Sequence, residues 1–407
     1  MAERNILIIG NGFDLYHKLP TRYIDFLMLI ANWNVFYNNY KDNLKKGSGN
    51  YDVKEFNIRL SENGELNLES LEDFAKYARI YDTESIEFLN SNIKNNILIK
   101  HFYENRKKII INNWVNFEAE IENYLKTIEI FYNFIRKEYR TKSYDDNKYI
   151  LNTYEHVGQF IETLSQNLDI ELNNPFYSDY LPETEFEEKK EKKKLLLSIK
   201  NQLDDFIKCF KIYISEFVSR LKITVKSKTV CDLLSNYMEL YSITFNYTDT
   251  IEKIYNLDKM HCHYVHGSTS KDNIVLGIDD NAFDNNDYIY FQKYYQRIQK
   301  MTGSIYLKWL APPFNDYFSI NLHIFGHSLD KTDKGILKDL FFNDYVKQVI
   351  IYYHNQRAYE DLVINLVEMF GKDYVIENTG SGKIVFKELE KPIPIIENKT
   401  EKKLLTT

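Results

Sequence analysis

The sequence predicts an α/β protein whose mainly parallel sheet is interrupted by a large helical insertion. Three observations predict it. Four consecutive branched residues, Ile6-Leu7-Ile8-Ile9, run straight into Gly10-Asn11-Gly12, the pattern of a strand covered on both faces that turns sharply at its end. From about Leu68 to Met238, helical apolar spacing replaces strand-like runs. Beyond Met238, short apolar runs return in alternation with helical stretches, as parallel strands joined by crossovers require.

Composition sets the outer bounds. With 407 residues and 44% hydrophobic content, the chain can bury a large core as one domain with an insertion or as two domains. Tyr (33) and Phe (26) outnumber Gly (14) and Pro (7), which favours long helices packed through aromatic rings over a turn-rich β fold. A net charge of -7 argues against a dedicated binder of duplex nucleic acid. Cys209, Cys231 and Cys262 show no paired spacing, so neither a disulfide framework nor a cysteine zinc site is expected. Glu3 and Arg4 precede an apolar run too short for a signal peptide, and no run approaches a bilayer span. The expectation is a cytoplasmic protein with no membrane partner.

Taken in order, the first strand is followed by a helix expected to open near Pro20-Thr21 and to carry its apolar face from Tyr23 to Trp33. Asn43 to Glu65 reads as a loose polar loop. Within the insertion, Trp114, Phe117, Ile121, Leu125, Ile128 and Ile135 form one helical face. The charge run Glu187 to Lys194 reads as a solvated helix start or a dock for an acidic partner. The stripe Leu196, Ile199, Leu203, Phe206, Phe210, Tyr213 and Phe217 then packs on another helix. A loop is expected from Asn173 to Glu183. Strands are expected at Tyr241–Phe245, Met260–Val265, Asn273–Ile278, Ile320–Phe325 and Gln348–Tyr353, with an edge strand or two in Tyr374–Leu389. Helices are expected at Tyr288–Lys300 and Thr332–Phe342. The resulting division is 1–66 with 239–390 as a discontinuous nucleotide-binding α/β domain, 67–238 as the insertion, and 391–407 as a loosely ordered tail.

In such sheets ligands gather beyond the carboxyl ends of the strands. The candidates are therefore Gly10, Asn11, Gly12, Phe13 and Asp14 after the first strand; Asn246, Tyr247, Thr248 and Asp249; His266, Gly267 and Ser268; Asp279 and Asp280; and Gly326, His327, Ser328 and Asp330. The glycines would let phosphate or ribose approach main-chain N–H groups. His261 and His263 share one strand face while Cys262, Tyr264 and His266 share the other. One metal could not easily collect all three histidines, so no metal is expected and His261 and His263 read as structural. His266, at the strand end, can act as a general base.

Gly10–Leu15 with Leu19-Pro20-Thr21, Phe245-Asn246-Tyr247-Thr248, Val265-His266-Gly267 and Gly326-His327-Ser328-Leu329-Asp330 resemble the AbiH group of bacterial abortive-infection (anti-phage) proteins. The helical middle matches only through Trp114 and Glu118. The order of motifs also resembles the wider sirtuin-like, Rossmann-like fold, and that resemblance implies an NAD pocket with Asn246 and His266 as catalytic residues. Asp14 replaces the usual Ser after the glycines, and Thr248 stands where an acidic residue is common, with Asp249 next in line.

The leading expectation is cleavage of the nicotinamide–ribose bond of NAD. Asp14 or Asp249 would stabilise charge developing on the ribose, Asn246 would orient ribose or water, and His266 would accept the proton. Ser328 would donate a hydrogen bond. On residue type alone, Glu118 reads as a helix-surface carboxylate, and Lys293 with Arg297 as a solvated face. The alternatives are a metal-dependent nuclease using Asp279, Asp280 and nearby histidines, and a nucleotide sensor without catalysis. A phage-derived or partner-protein trigger and self-association through the insertion complete the expected partners.

Overall fold

A computed structural model of the chain describes residues 2–45, 74–75, 80–109, 116–136, 152–172, 184–236, 239–312 and 318–395. Of the expected loop Asn43–Glu65, residues 43–45 instead close the helix Trp33–Lys45; residues 46–65, the expected loop at 173–183, Trp114 and residues 396–407 lie outside the described residues.

Six strands form the main sheet: β1 (Ala2–Ile9), β3 (Leu240–Thr244), β4 (Cys262–Tyr264), β5 (Phe318–Phe325), β6 (Val346–Tyr353) and β7 (Ile384–Glu388). Their spatial order is β4-β3-β1-β5-β6-β7, and every neighbouring pair is parallel. The chain winds outward from β1 through β3 to β4, then returns to β1's other side and winds outward through β5, β6 and β7. The crevice between β1 and β5 is thus the topological switch point, where open α/β sheets place their ligands. Ile6, Leu7, Ile8 and Ile9 are all buried, which explains their unbroken apolar run.

Helices follow the expected faces. After β1 a short helix opens at once (Asn11–Tyr16), earlier than Pro20 suggested, and a second covers Tyr23–Ala31. In the insertion, Asn116 caps the helix Phe117–Ile130 by accepting from Glu118 and Ala119 N–H. Thr184 and Glu187 form a capping box for the 28-residue helix Glu185–Ile212. Its predicted stripe from Leu196 to Phe217 is entirely buried. The charge run at its start is not wholly solvated. Lys192 turns inward to Asp287 at 2.7 Å, and Glu191 meets the fully buried Arg136 at 2.8 Å.

One hydrophobic cluster unites the insertion with Phe26, Trp33 and Phe36 of the N-terminal helices and with Ile274, Leu276, Ile278 and Phe291 of the α/β part. The insertion therefore lies against the sheet's carboxyl-end loops.

Two expectations change and one holds. Asn273–Ile278 is not a sheet strand: Gln296 bonds both Leu276 N–H and its carbonyl, Lys300 donates to the Ile274 carbonyl, and Phe291 accepts from Ile278 N–H. Its backbone groups bond to the side chains of Gln296 and Lys300 and to the carbonyls of Phe291 and His266, the latter accepting from Val275 N–H, instead of to a sheet strand. Tyr374–Leu389 supplies the expected edge strand, β7, after the end of a helix (Lys372–Gly380). The start of the tail is ordered, since β8 (Ile393–Pro394) pairs antiparallel with β2 (Val225–Lys226) just past the insertion.

Candidate active site

The turns after β1 and β5 interlock. Gly12 N–H donates to the Gly326 carbonyl (2.8 Å) and Gly10 N–H to that of Phe325 (3.2 Å). A Cβ on Gly326, whose φ is +68°, would stand 2.2 Å from the Phe13 nitrogen; one on Gly10 would stand 2.6 Å from His327 Cα. The missing side chains thus let two backbones touch, and these two amides are already donated. Phe13 is fully buried against Phe325 and His17. Asn11 accepts from the Thr21 hydroxyl at 2.5 Å.

Beside the interlock, Asp14 is 1% exposed. Thr248 Oγ1 donates to its Oδ2 at 2.7 Å, and Thr250 Oγ1 donates to Thr248 Oγ1 at 3.0 Å. Oδ1 of Asp14 and Nδ2 of the neighbouring Asn246 are both buried without a hydrogen-bond partner among the described residues. Burial pushes the Asp14 carboxyl up to about 6, although the Thr250, Thr248 and Asn246 side chains pull it down. A cleft of about 330 Å³ reaches the other side of Thr248 and Thr250, where Leu19, Ile214 and Val218 also line it. Asp249 faces that cleft and pairs with Lys253 at 3.0 Å, whereas Asp14 is buried against the turn after β3 and keeps one carboxylate oxygen without a partner among the described residues.

A second cluster stands at the ends of β4 and β5. Phe245 links the two sides, its ring 5.3 Å from that of His266 and 4.2 Å from that of His327. His266 Nε2 lies 3.0 Å from Asp333 Oδ1. His327 Nδ1 accepts from Leu329 N–H at 2.9 Å, which assigns its proton to Nε2, 3.5 Å from Asp333 Oδ2. Lys293 Nζ, nearly inaccessible, lies 3.0 Å from Asp333 Oδ1 and 2.8 Å from Glu118 Oε2. Glu118 comes from the insertion, and Tyr23 stacks on its neighbour Phe117 at 4.4 Å.

The electrostatics follow from burial. Desolvation holds His266 below its ordinary value against the opposing pull of Asp333, so the imidazole is neutral and able to accept a proton. Burial raises Glu118 above its ordinary value, against the pull of Lys293 at 2.8 Å. For Asp333 burial also pushes upward, but Lys293 and the two imidazoles win and hold it well below the ordinary range. Burial would neutralise Lys293; Asp333 and Glu118 keep it protonated.

The expected site therefore assembles in part. Asp14, Asn246 and Thr248 meet in one cluster, and His266 and His327 meet in a second around Asp333 and Phe245. Ser328 is exposed, with its carbonyl taken by Asn365, and stands apart from the cluster. Asp330 caps the next turn through Thr332 N–H. Gly267, at φ +73°, permits the tight return to Asn273. Asp279 and Asp280 are spent on Asn281 and Tyr294 N–H groups, and among the described residues no group of three or more His, Cys, Asp or Glu has metal-holding geometry. His263 is buried against Tyr306 and Trp309, and His261 packs on Tyr241. Sequence reasoning placed Glu118 and Lys293 on solvated faces; both are buried and paired. It passed over Asp333, whose one signal is its place in the first turn after the Gly326-His327 corner.

Comparison with known families completes the description. The family model described as "Bacteriophage abortive infection AbiH" matches residues 6–354. The chain belongs to the AbiH family. The match spans β1 through β6, including both polar clusters and the insertion that supplies Glu118, and it supports a role in abortive infection of phage-infected bacteria. No curated protein and no solved structure matches the chain. Among the described residues no helix is long and apolar enough to cross a membrane.

Proposed function

We propose that the chain is an abortive-infection effector that hydrolyses the nicotinamide–ribose bond of NAD, with Asp14, Asn246 and His266 at the reacting centre. One observation carries this reading. Asp14 keeps a buried carboxylate oxygen and Asn246 a buried amide without partners among the described residues, and Phe245, the residue before Asn246, packs its ring 5.3 Å from His266, whose desolvated imidazole lies 3.0 Å from a carboxylate.

Each group suits one demand of the reaction. The C1′–N bond breaks, and its electron pair returns to the pyridinium ring, so nicotinamide leaves neutral and needs no acid. Positive charge then develops on the ribose, where the free oxygen of Asp14 opposes it. Asn246 Nδ2 donates to a ribose hydroxyl or to the attacking water. Water adds at C1′, and its proton passes to His266, whose imidazolium Asp333 stabilises. Asp249, engaged by Lys253 at the side cleft, is the weaker partner for the ribose. Gly10, Asn11, Gly12, Phe13, Gly267, Gly326, His327 and Asp330 shape the surrounding turns.

The test follows NAD directly. Bacteria expressing the wild-type chain are infected with phage, NAD and nicotinamide are quantified over time, and purified protein is incubated with NAD in parallel. NAD should fall with matching release of nicotinamide, and His266→Ala and Asn246→Ala should each slow the loss by roughly 100-fold or more. Protection from phage with a steady NAD pool, or wild-type NAD loss in His266→Ala, would overturn the reading.

A further inference from the structure

The buried ion chain Glu118–Lys293–Asp333 runs from the insertion to the side of His266 in three contacts of 2.8–3.0 Å. Two of its members belong to the α/β part. Only Glu118 arrives from the insertion, on the helix Phe117–Ile130.

We propose that Glu118 is a positioning residue that sets the charge around His266, so that the docked insertion keeps this imidazole able to accept a proton. The inference rests on the reading of His266 as the base. It adds the means by which a distant part of the chain governs that base.

The argument is one of signs. Lys293 and His266 share Asp333 Oδ1 as their nearest carboxylate oxygen. A bare Lys293 cation would repel a proton arriving on His266 and would take up much of the attraction of Asp333. Glu118 Oε2, on the other side of the ammonium, offsets that cation. With Glu118 ionised the chain carries one net negative charge, which favours imidazolium formation. With Glu118 protonated or withdrawn the chain is neutral, and His266 becomes a poorer base. Other charged groups face the same space. His327 reaches Asp333 Oδ2 from the β5 turn. Arg297, one turn beyond Lys293, opposes a charged His266 but is drawn toward Asp280 at 3.7 Å. Asp330 bears on Glu118, and the hydroxyls of Tyr23 and Tyr247 stay protonated nearby because burial raises both. None of these joins the insertion to His266 through direct ionic contacts, as Glu118 does through Lys293.

The experiment reads the His266 ring by NMR titration of histidine-labelled full-length protein, assigned with His266→Gln, and needs no substrate. Lys293→Met should raise the His266 pKa by roughly one unit or more, and Glu118→Gln should lower it by a smaller amount, because Glu118 is itself partly protonated where His266 titrates. The double variant Glu118→Gln/Lys293→Met removes one charge of each sign and should fall between them. General loosening of the site has a different signature, because exposure moves a desolvated imidazole upward toward its ordinary value in every variant. An upward or absent shift in Glu118→Gln would overturn the proposal. If Lys293→Met does not fold, comparing Glu118→Gln with the double variant still decides it: the double must lie higher. The titration stands apart from the reaction, so a chain that releases no nicotinamide yet shows these shifts refutes only the NAD reading.

Discussion

Two buried aspartates a few residues from the same switch point behave in opposite ways. Asp14 is surrounded by neutral donors, and its carboxyl rises to about 6. Asp333, its side chain 11% exposed, faces a lysine and two imidazoles, and its carboxyl falls well below the ordinary range. Hydroxyls and amides soften the cost of burying a negative charge; only a full positive charge at contact distance reverses it. The contrast divides the labour. Asp333 is committed to holding its neighbours in place, whereas Asp14 retains an oxygen with no partner.

Removing the cation tests that contrast most severely. Lys293→Met leaves Glu118 and Asp333 buried without their shared partner and should cost about 3–5 kcal/mol of stability in denaturant melts near neutral pH. A loss below about 1 kcal/mol would mean that the two carboxylates are compensated by something else.

Asp14→Asn should act in the other direction. The folded carboxyl titrates at about 6 against an ordinary 3.8, so folding favours the protonated form. That stabilisation is fully present below the unfolded value and is lost as pH rises through about 6. Asn resembles the protonated acid, so the variant should be more stable than wild type by about 3 kcal/mol at pH 7.5. The gain should vanish near pH 3.5. A gain of equal size at both pH values would show that the benefit is not electrostatic.

Thr248→Val is the smallest change. It removes the hydroxyl that donates to Asp14 Oδ2, should cost about 1–2 kcal/mol near neutral pH, and should raise the Asp14 carboxyl further. Less pH dependence than wild type between about pH 4 and 7 would contradict that assignment.

The sequence made one side of this comparison legible and concealed the other. Asp14, Asn246 and Thr248 each follow a run of apolar residues at the end of a strand, so strand recognition alone brings them together. His266 and His327 were found in the same way. Glu118 and Lys293 sit on amphipathic helices, where spacing shows that a face exists but not what covers it. Only the packing of Phe117, Tyr23 and Phe210 turns that face inward. Asp333 looks like an ordinary first-turn carboxylate. The segment Asn273–Ile278 has a strand's composition, and nothing local reveals that Gln296 and Lys300 complete its hydrogen bonds. Pairings between residues far apart in the chain are what short-range pattern leaves out.

β1 lies between β3 and β5, so its second edge stays bare until the ribosome has made Asn321, 316 residues after Asn5. At ~5–20 residues per second, the growing chain spends roughly a quarter of a minute to a minute with the Gly10–Gly12 corner lacking its counterpart. A fragment released before residue 318 never acquires that corner, nor His327 and Asp333. The glycine corner and the second polar cluster thus each join an earlier strand of the sheet to β5, and an unfinished copy holds neither in full.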